Sequence, residues 1–594
     1  MINKIKNSKY YKTWLFFVIE GIYLIAIDFF NQYLVMNSFS LSLYIIKTAV
    51  LFNVFWVIVI FIILYMLNPK PRKVVTCILN IFLLFVSIIN YFLRSYFSIT
   101  VSWKDIFLSG EGVSFFSSIF KYISLEFILF ILVCVFFIVC MLKIKTRKIY
   151  KFKSFQSLMI VGMIFLLILG YNNVKKELSS VSDGWNSNDV LNNHANYYTN
   201  WLDTSSAIRV SGTYEYIIRD FYFSFLKEDS VISAKNEAMS YIKNYVNKGQ
   251  KEKNYTGIFK GKNLIFVMME SMDDWLVNED VTPTMYYMMN HGFNFINHYS
   301  PPYVTGSTAN TEFVANTGLY PYLNKLSPNY AYVDNNYPFS IANLFKQEGY
   351  IANSFHRSNG SIYNRSAMHI SLGYDKYHNY ADMEIEPENL DLDSYIAING
   401  YEKIVSDDKF MSFVITYSPH SPYTYSKIEC QTNLSEIQDI YPEETDEEIL
   451  CAYSAARETD NMFKILLEKL KKDNLLEDTI IVAFSDHPNY LKYSDNETNV
   501  INETLFFIYD CGMSGNQVST ITSSINILPT LVNLFGIETE YIYAGYDALN
   551  IDSGYVIFRD YTYYDGININ SLTNEMFGQI DYSANVLISD YYDN

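Results

Sequence analysis

Two short stretches of the sequence end in residues able to hold a metal. Asn263-Leu-Ile-Phe-Val-Met-Met269 runs into Glu270, and Ile480-Ile-Val-Ala-Phe484 is followed by Ser485, Asp486 and His487. Both runs are apolar and bounded as buried strands are. A carboxylate after one strand and an Asp-His pair after another can converge on one ion. Oxygen and imidazole donors suit zinc, manganese or magnesium. Taken singly, an Asp-His pair fits an ordinary turn or cap. A third stretch, Gly306-Ser-Thr-Ala-Asn-Thr-Glu-Phe313, places hydroxyls where a helix opens. Backbone N–H groups at such an end favour an anionic phosphate. A Thr hydroxyl is a poor nucleophile until activated, and metal coordination supplies activation. Read alone, Ser307 or Thr308 is a helix N-cap.

These residues meet only if their strands share a sheet. From about residue 262, apolar runs alternate with helical segments such as 340–348 and 455–471. That alternation predicts a mostly parallel sheet covered on both faces. In such sheets, active residues gather at the carboxyl ends of the strands.

The first third is different. Apolar stretches at 14–34, 48–67, 74–93, 123–142 and 154–174 each approach the ~20 residues that cross a bilayer as a helix. Lys4, Lys6, Lys9 and Lys12 precede the first stretch. Lys70, Arg72 and Lys73 follow the second, and Lys143, Lys145, Arg147, Lys148, Lys151 and Lys153 follow the fourth. The positive-inside rule puts these groups and the N-terminus in the cytoplasm, and residues beyond about 175 outside the cell. No cleavable signal peptide is evident, and the first span can serve for targeting. The expected organisation is a five-span transmembrane domain over 1–174, an extracellular linker with a helix near 232–246 over 175–260, and a catalytic domain over 261–594.

Within the first span, Glu20 and Asp28 are costly to bury. They mark either function or packing against neighbouring helices. Trp103, Phe107, Phe115, Phe116 and Phe120 fit a membrane-surface segment or ordinary loop packing. A formal charge of −18 over 594 residues argues against general nucleic-acid binding. Cys430, Cys451 and Cys511 allow at most one disulfide among them, and the lack of a CxxC pair argues against a thiolate zinc site.

Together these motifs resemble the lipoteichoic acid synthase branch of the sulfatase/alkaline-phosphatase superfamily. The resemblance rests on Gly306, Thr308, Glu312 and Phe313, on Glu270, and on Asp486-His487. It extends to Phe355-His-Arg-Ser-Asn-Gly-Ser-Ile-Tyr-Asn-Arg365, Gly373-Tyr-Asp-Lys376, Pro419-His-Ser-Pro-Tyr423 and Ile525–Ile537, and the five spans fit it too. It implies an extracellular α/β domain of alkaline-phosphatase type behind a membrane bundle. It implies Thr308 as nucleophile and metal ligand, with Glu270, Asp486 and His487 completing the site. His356, Arg365 and His420, with Tyr363 and Ser358, would form the substrate side. The implied cofactor is one divalent metal, manganese first, with magnesium or zinc as alternatives. The implied reaction moves glycerol phosphate from the membrane lipid phosphatidylglycerol to a surface glycolipid or teichoic-type polymer and releases diacylglycerol. The sequence departs from the family pattern at Tyr363, where Trp is usual, and at Ser358, where an acidic residue is expected. It departs also at Pro488, where an aromatic is common. These changes bear on the group transferred more than on the transfer chemistry. Phosphoethanolamine transfer and phosphodiester hydrolysis are the rival reactions. The lack of a Cys/Ser-x-Pro-x-Arg motif argues against a true sulfatase.

Overall fold

The computed structural model describes residues 11–36, 47–97, 100–103, 123–148, 154–179, 198, 204–226, 230–246, 253–301, 303, 307–321, 328–405, 409–489, 491, 503–559 and 561–593. The described residues divide into two compact units, one before residue 228 and one from 228 onward. The stretch 175–260 contributes to both, with the helix Thr204–Phe225 in the first and Val231–Val246 in the second.

The first unit is helical. Among the described residues, four helices are long and apolar enough to cross a membrane: Tyr11–Val35, Thr48–Met66, Pro69–Arg94 and Leu125–Lys143. The fifth expected span, 154–174, falls in a helix Ser154–Ser179, many of whose side chains lie outside the described residues. These helices make the chain a membrane protein with a water-soluble C-terminal part.

Asp28 is buried and has protein partners. Its Oδ2 accepts from Asn53 Nδ2 at 2.6 Å, and its Oδ1 accepts from the Thr213 backbone N–H at 3.0 Å. That second bond requires a break in the Thr204–Phe225 helix at Gly212, where φ is 77°. A side chain is strained in that left-handed conformation, and a Cβ at Gly212 would stand 2.5 Å from the Asn53 amide. Just beyond the break, the buried Glu215 carboxylate accepts from Trp56 Nε1, Tyr171 Oη and Tyr198 Oη. The broken helix thus donates one of its own N–H groups to the buried Asp28 and carries a second buried carboxylate, Glu215, whose donors come from side chains outside the helix. Trp103 donates to Ile217 O at 2.8 Å and stacks on Phe82, which is packing within the unit. Phe107, Phe115, Phe116 and Phe120 lie outside the described residues.

The second unit is built on an eight-stranded sheet. Its strands are β1 (Asn263–Met269), β2 (Gly292–Phe295), β3 (Ile351–Phe355), β4 (Lys376–His378), β5 (Phe410–Ile415), β6 (Thr479–Ser485), β7 (Phe506–Tyr509) and β8 (Asn516–Val518). Their order is β8-β2-β7-β6-β1-β5-β3-β4. Only β7 runs against the rest. The three central strands β1, β5 and β6 are buried at every position, as a parallel sheet covered on both faces requires. The long helix Glu447–Lys472 covers part of this core with Leu450, Phe463, Leu466 and Leu470. A Cys430–Cys451 disulfide fastens that helix to the short helix Ile428–Gln431. Cys511 remains a free thiol. This is an α/β architecture with a mostly parallel sheet.

Candidate active site

Strand register brings the first two motifs together. β1 and β6 are neighbours, with Met269 opposite Ser485. Glu270 and Asp486 therefore leave the sheet side by side, and the Asp486 N–H donates to Met269 O at 3.0 Å. Ser271 then turns the chain with φ 48°. Its N–H donates to Asp486 Oδ1 at 2.9 Å, and its hydroxyl donates to Glu270 Oε1 at 2.7 Å. From β5's end, Thr416 Oγ1 accepts the Glu270 N–H at 2.9 Å. Three adjacent strands thus fix two carboxylates.

His487 completes the cluster. Its Nδ1 lies 3.1 Å from Pro488 O. A carbonyl only accepts, so Nδ1 carries the proton and Nε2 turns its lone pair inward. Nε2 lies 3.3 Å from Asp486 Oδ2 and 3.5 Å from Glu270 Oε1. Glu270, Asp486 and His487 each offer a donor atom within 4.8 Å of the others, and all three are buried. Burial and the neighbouring Glu270 push the Asp486 carboxyl up to about 7. Burial opposes the His487 imidazolium, but Asp486 and Glu270 more than offset it, so its pKa is raised. Asp486 Oδ2 is buried with no hydrogen-bond partner among the described residues. An orphaned oxygen, a crowded second carboxylate and an oriented imidazole nitrogen fit a divalent cation.

Thr308 opens the helix Ser307–Thr317 and is partly exposed. Its hydroxyl faces Asp486 and favours that group's ionised form. One turn on, Thr311 Oγ1 donates to Asp486 O at 2.6 Å, which locks the helix against the strand end. Gly306 lies outside the described residues.

The substrate-side residues surround this cluster. His356 follows β3, is buried, and sets Nδ1 3.0 Å from Ile415 O. Burial first, then Arg365 and Arg357, hold it well below the usual imidazole range. His420 likewise sets Nδ1 2.6 Å from Ser421 O and stacks on Tyr417. Burial lowers it to about 4, and His487 and Asp486 both act on it electrostatically. All three histidines set Nδ1 against a backbone carbonyl.

Arg365 is presented by two residues in the left-handed region, Tyr363 at φ 58° and Asn364 at φ 51°. Such conformations cost about 1–3 kcal/mol each and cluster at functional sites. Asn364 Nδ2 donates to Asn329 O, and Arg365 lies over the Tyr363 ring at 5.4 Å. Ser358 is placed differently from a free acceptor: its hydroxyl lies 3.1 Å from Tyr377 Oη.

Several supporting residues have no sequence-level role assigned. Glu312 accepts from Arg365 Nε at 2.8 Å and pairs with His369 Nε2 at 2.7 Å, all three buried. His369 follows Arg365 by four residues, the spacing of one helix face, and that signal was available. Asp393 accepts from the Tyr417 and Ser418 N–H groups and from Thr459 Oγ1. It thereby holds the turn that carries His420. Nothing in the sequence marks Asp393 for this.

Comparison with known proteins agrees with the fold. The sulfatase family model matches residues 262–537. These residues are similar to the sulfatase family. A lipoteichoic acid synthase of Staphylococcus saprophyticus is 26% identical over 417 residues, 64% of this chain and 63% of that protein. The chain therefore spans somewhat less than two thirds of this relative. Lipoteichoic acid synthase 1 of Bacillus subtilis is 24% identical over 576 residues, covering 89% of this chain and 85% of the relative. The crystal structure of the Listeria monocytogenes lipoteichoic acid synthase LtaP overlays with a TM-score of 0.47 at 22% identity, covering 59% of this chain and 97% of that one. Glu270, Thr308, Arg365, His420, Asp486 and His487 all fall within the residues that the family model matches.

Proposed function

We propose that the chain is a membrane-anchored, metal-dependent phosphotransferase that moves glycerol phosphate from phosphatidylglycerol to a surface glycolipid or teichoic-type polymer. The observation that carries this reading is the Thr308 hydroxyl facing Asp486 beside a buried set of two carboxylates and one imidazole. The similarity to lipoteichoic acid synthases supports the choice of donor.

Glu270, Asp486, His487 and Thr308 would hold the cation, with manganese expected first. When bound, the metal would polarise a phosphoryl oxygen and lower the threonine pKa. Thr308 attacks phosphorus, the bond to the diacylglycerol oxygen breaks, the proton lost by the threonine hydroxyl ends on that leaving oxygen, and a glycerophospho-threonine forms. An acceptor hydroxyl then attacks the same phosphorus and regenerates Thr308. Arg365, held by Glu312, supplies positive charge where the phosphoryl oxygens gain negative charge. His420, kept neutral by burial, would stand on the substrate side as the candidate general base for the incoming hydroxyl. His356, Tyr363 and Ser358 would line the head-group side. The spans hold the domain beside its lipid, with the N-terminus cytoplasmic and the domain extracellular.

The test incubates the purified full-length protein with phosphatidylglycerol and manganese. Mass spectrometry then reads residue 308. A glycerophosphate adduct on Thr308, with diacylglycerol release lost in Thr308→Ala, is expected. An adduct formed from phosphatidylethanolamine and not from phosphatidylglycerol would overturn the donor. Equal diacylglycerol release by wild type and Thr308→Ala would overturn the nucleophile.

A further inference from the structure

Glu20 lies nine residues into the first helix, about 14 Å along its axis at 1.5 Å per residue. It is fully buried. Its Oε2 accepts from Asn80 Nδ2 at 2.9 Å. Its Oε1 has no hydrogen-bond partner among the described residues, and neither do Asn80 Oδ1 and Thr76 Oγ1. Thr76 and Asn80 stand four residues apart on Pro69–Phe97, so they share one helix face. Asn80 and Thr76 are grouped with Phe16, Lys73, Cys77 and Met141.

The surrounding charges are occupied elsewhere. Arg72 donates to the carbonyls of Leu64, Leu67 and Arg147. Lys73 donates to Leu142 O. On Glu20's own helix, the Tyr23 hydroxyl donates to Asn80 O at 2.6 Å. The fourth helix contributes Cys134 and Met141, and Asn80 Nδ2 lies 3.8 Å from Met141 Sδ. The Tyr214 hydroxyl is donated to Leu24 O. No cation pairs with Glu20 among the described residues. An ionised carboxylate at this depth is costly. Two of these atoms, the Glu20 carboxyl oxygen and the Asn80 amide oxygen, can only accept while Glu20 is ionised, whereas the Thr76 hydroxyl can donate or accept.

We propose that Glu20, Asn80 and Thr76 form a proton-binding site within the membrane bundle. The bound proton sits on Glu20 Oε1 and is donated to Asn80 Oδ1 or Thr76 Oγ1. With Asn80 this closes a cyclic acid–amide pair, since Asn80 Nδ2 already donates to Oε2. One proton removes the charge and turns an acceptor into a donor. A metal cation fits less well, because hard cations take six or more oxygen ligands and the cluster offers three.

The test uses the full-length protein in detergent. Infrared difference spectra of wild type minus Glu20→Gln are recorded at neutral pH, and melting temperatures are followed across pH. The expected result is a protonated-carboxyl carbonyl band that shifts in Asn80→Leu. The melting temperature of wild type should fall at high pH relative to that of Glu20→Gln, which mimics the neutral acid. A difference spectrum showing only carboxylate bands overturns the proposal. So does a wild-type melting temperature raised by sodium chloride over choline chloride and unaffected by sodium in Glu20→Gln, which assigns a metal cation. None of these readouts depends on transferase activity.

Discussion

Glu312 Oε2 lies 2.8 Å from Arg365 Nε, and neither side chain is more than 3% exposed. The pair joins the helix that carries Thr308 to the segment that carries Arg365. Because Glu312 Oε1 also meets His369, one carboxylate satisfies two buried basic groups. Arg365 and His369 hold Glu312 ionised below the ordinary carboxylate range despite its burial.

Removing that carboxylate leaves a buried guanidinium without its counter-ion. Glu312→Ala should destabilise the domain by about 3–5 kcal/mol. Glu312→Gln keeps the shape and removes the charge, so it should lose less. Urea unfolding of the two variants checks the order. Glu312→Ala within about 1 kcal/mol of wild type would contradict the role given to the pair.

Thr308 is partly exposed at a helix start, so its truncation should cost little stability. Thr308→Ala should still lower turnover by at least about 10³-fold, as removal of a nucleophile does. Thr308→Ser retains a hydroxyl and should retain part of the activity. Measured rates of diacylglycerol release decide this. An alanine variant as active as the serine variant would rule the hydroxyl out.

The metal cluster should exchange protons for a cation. Without metal, Asp486 stands near 7 against an ordinary carboxylate value of 3.8. Its folded value is raised, so the folded state holds a proton that the unfolded state has released. Its contribution therefore turns destabilising as pH rises from about 4 to about 7. Added manganese should cancel this loss, and its affinity should rise between about pH 6 and pH 8 as the proton becomes easier to displace. Calorimetry in buffers of different ionisation enthalpy measures the protons released. Enthalpies that do not vary with buffer would count against the cluster as the binding site.

Gly212 permits the Asp28 cap in the membrane unit. Gly212→Ala adds a Cβ 2.5 Å from the Asn53 amide at a backbone φ of 77°. The left-handed conformation alone costs about 1–2 kcal/mol for a residue with a side chain. The detergent-solubilised variant should melt at a lower temperature, whereas Gly162→Ala, with open space around it, should not. Equal melting temperatures for the two would falsify the steric account.

The strand-end ligands were legible because each directly follows a fully buried strand, and parallel sheets put such positions together. Four of the five expected spans were legible from apolar length alone. Residue pairs far apart in sequence were not. Asp28 is satisfied by Thr213, 185 residues away, and no periodicity reports that contact. The Asp393 turn support also comes from a distance, through Thr459. Ser358 shows a further limit: a change of residue type was visible, but its engagement with Tyr377 depends on the packing of β4.

The Met269–Ser485 register has a mechanical consequence. The spacing of Glu270 and Asp486 is set by a backbone ladder that also spans Asn263 to Thr479, not by the side chains themselves. Each ligand can then be exchanged for another type without moving its neighbour's anchor point. A one-residue deletion inside β1 would instead carry Glu270 about 3.3 Å along the strand and onto the opposite face. The centre should thus tolerate changes of chemistry far better than changes of length.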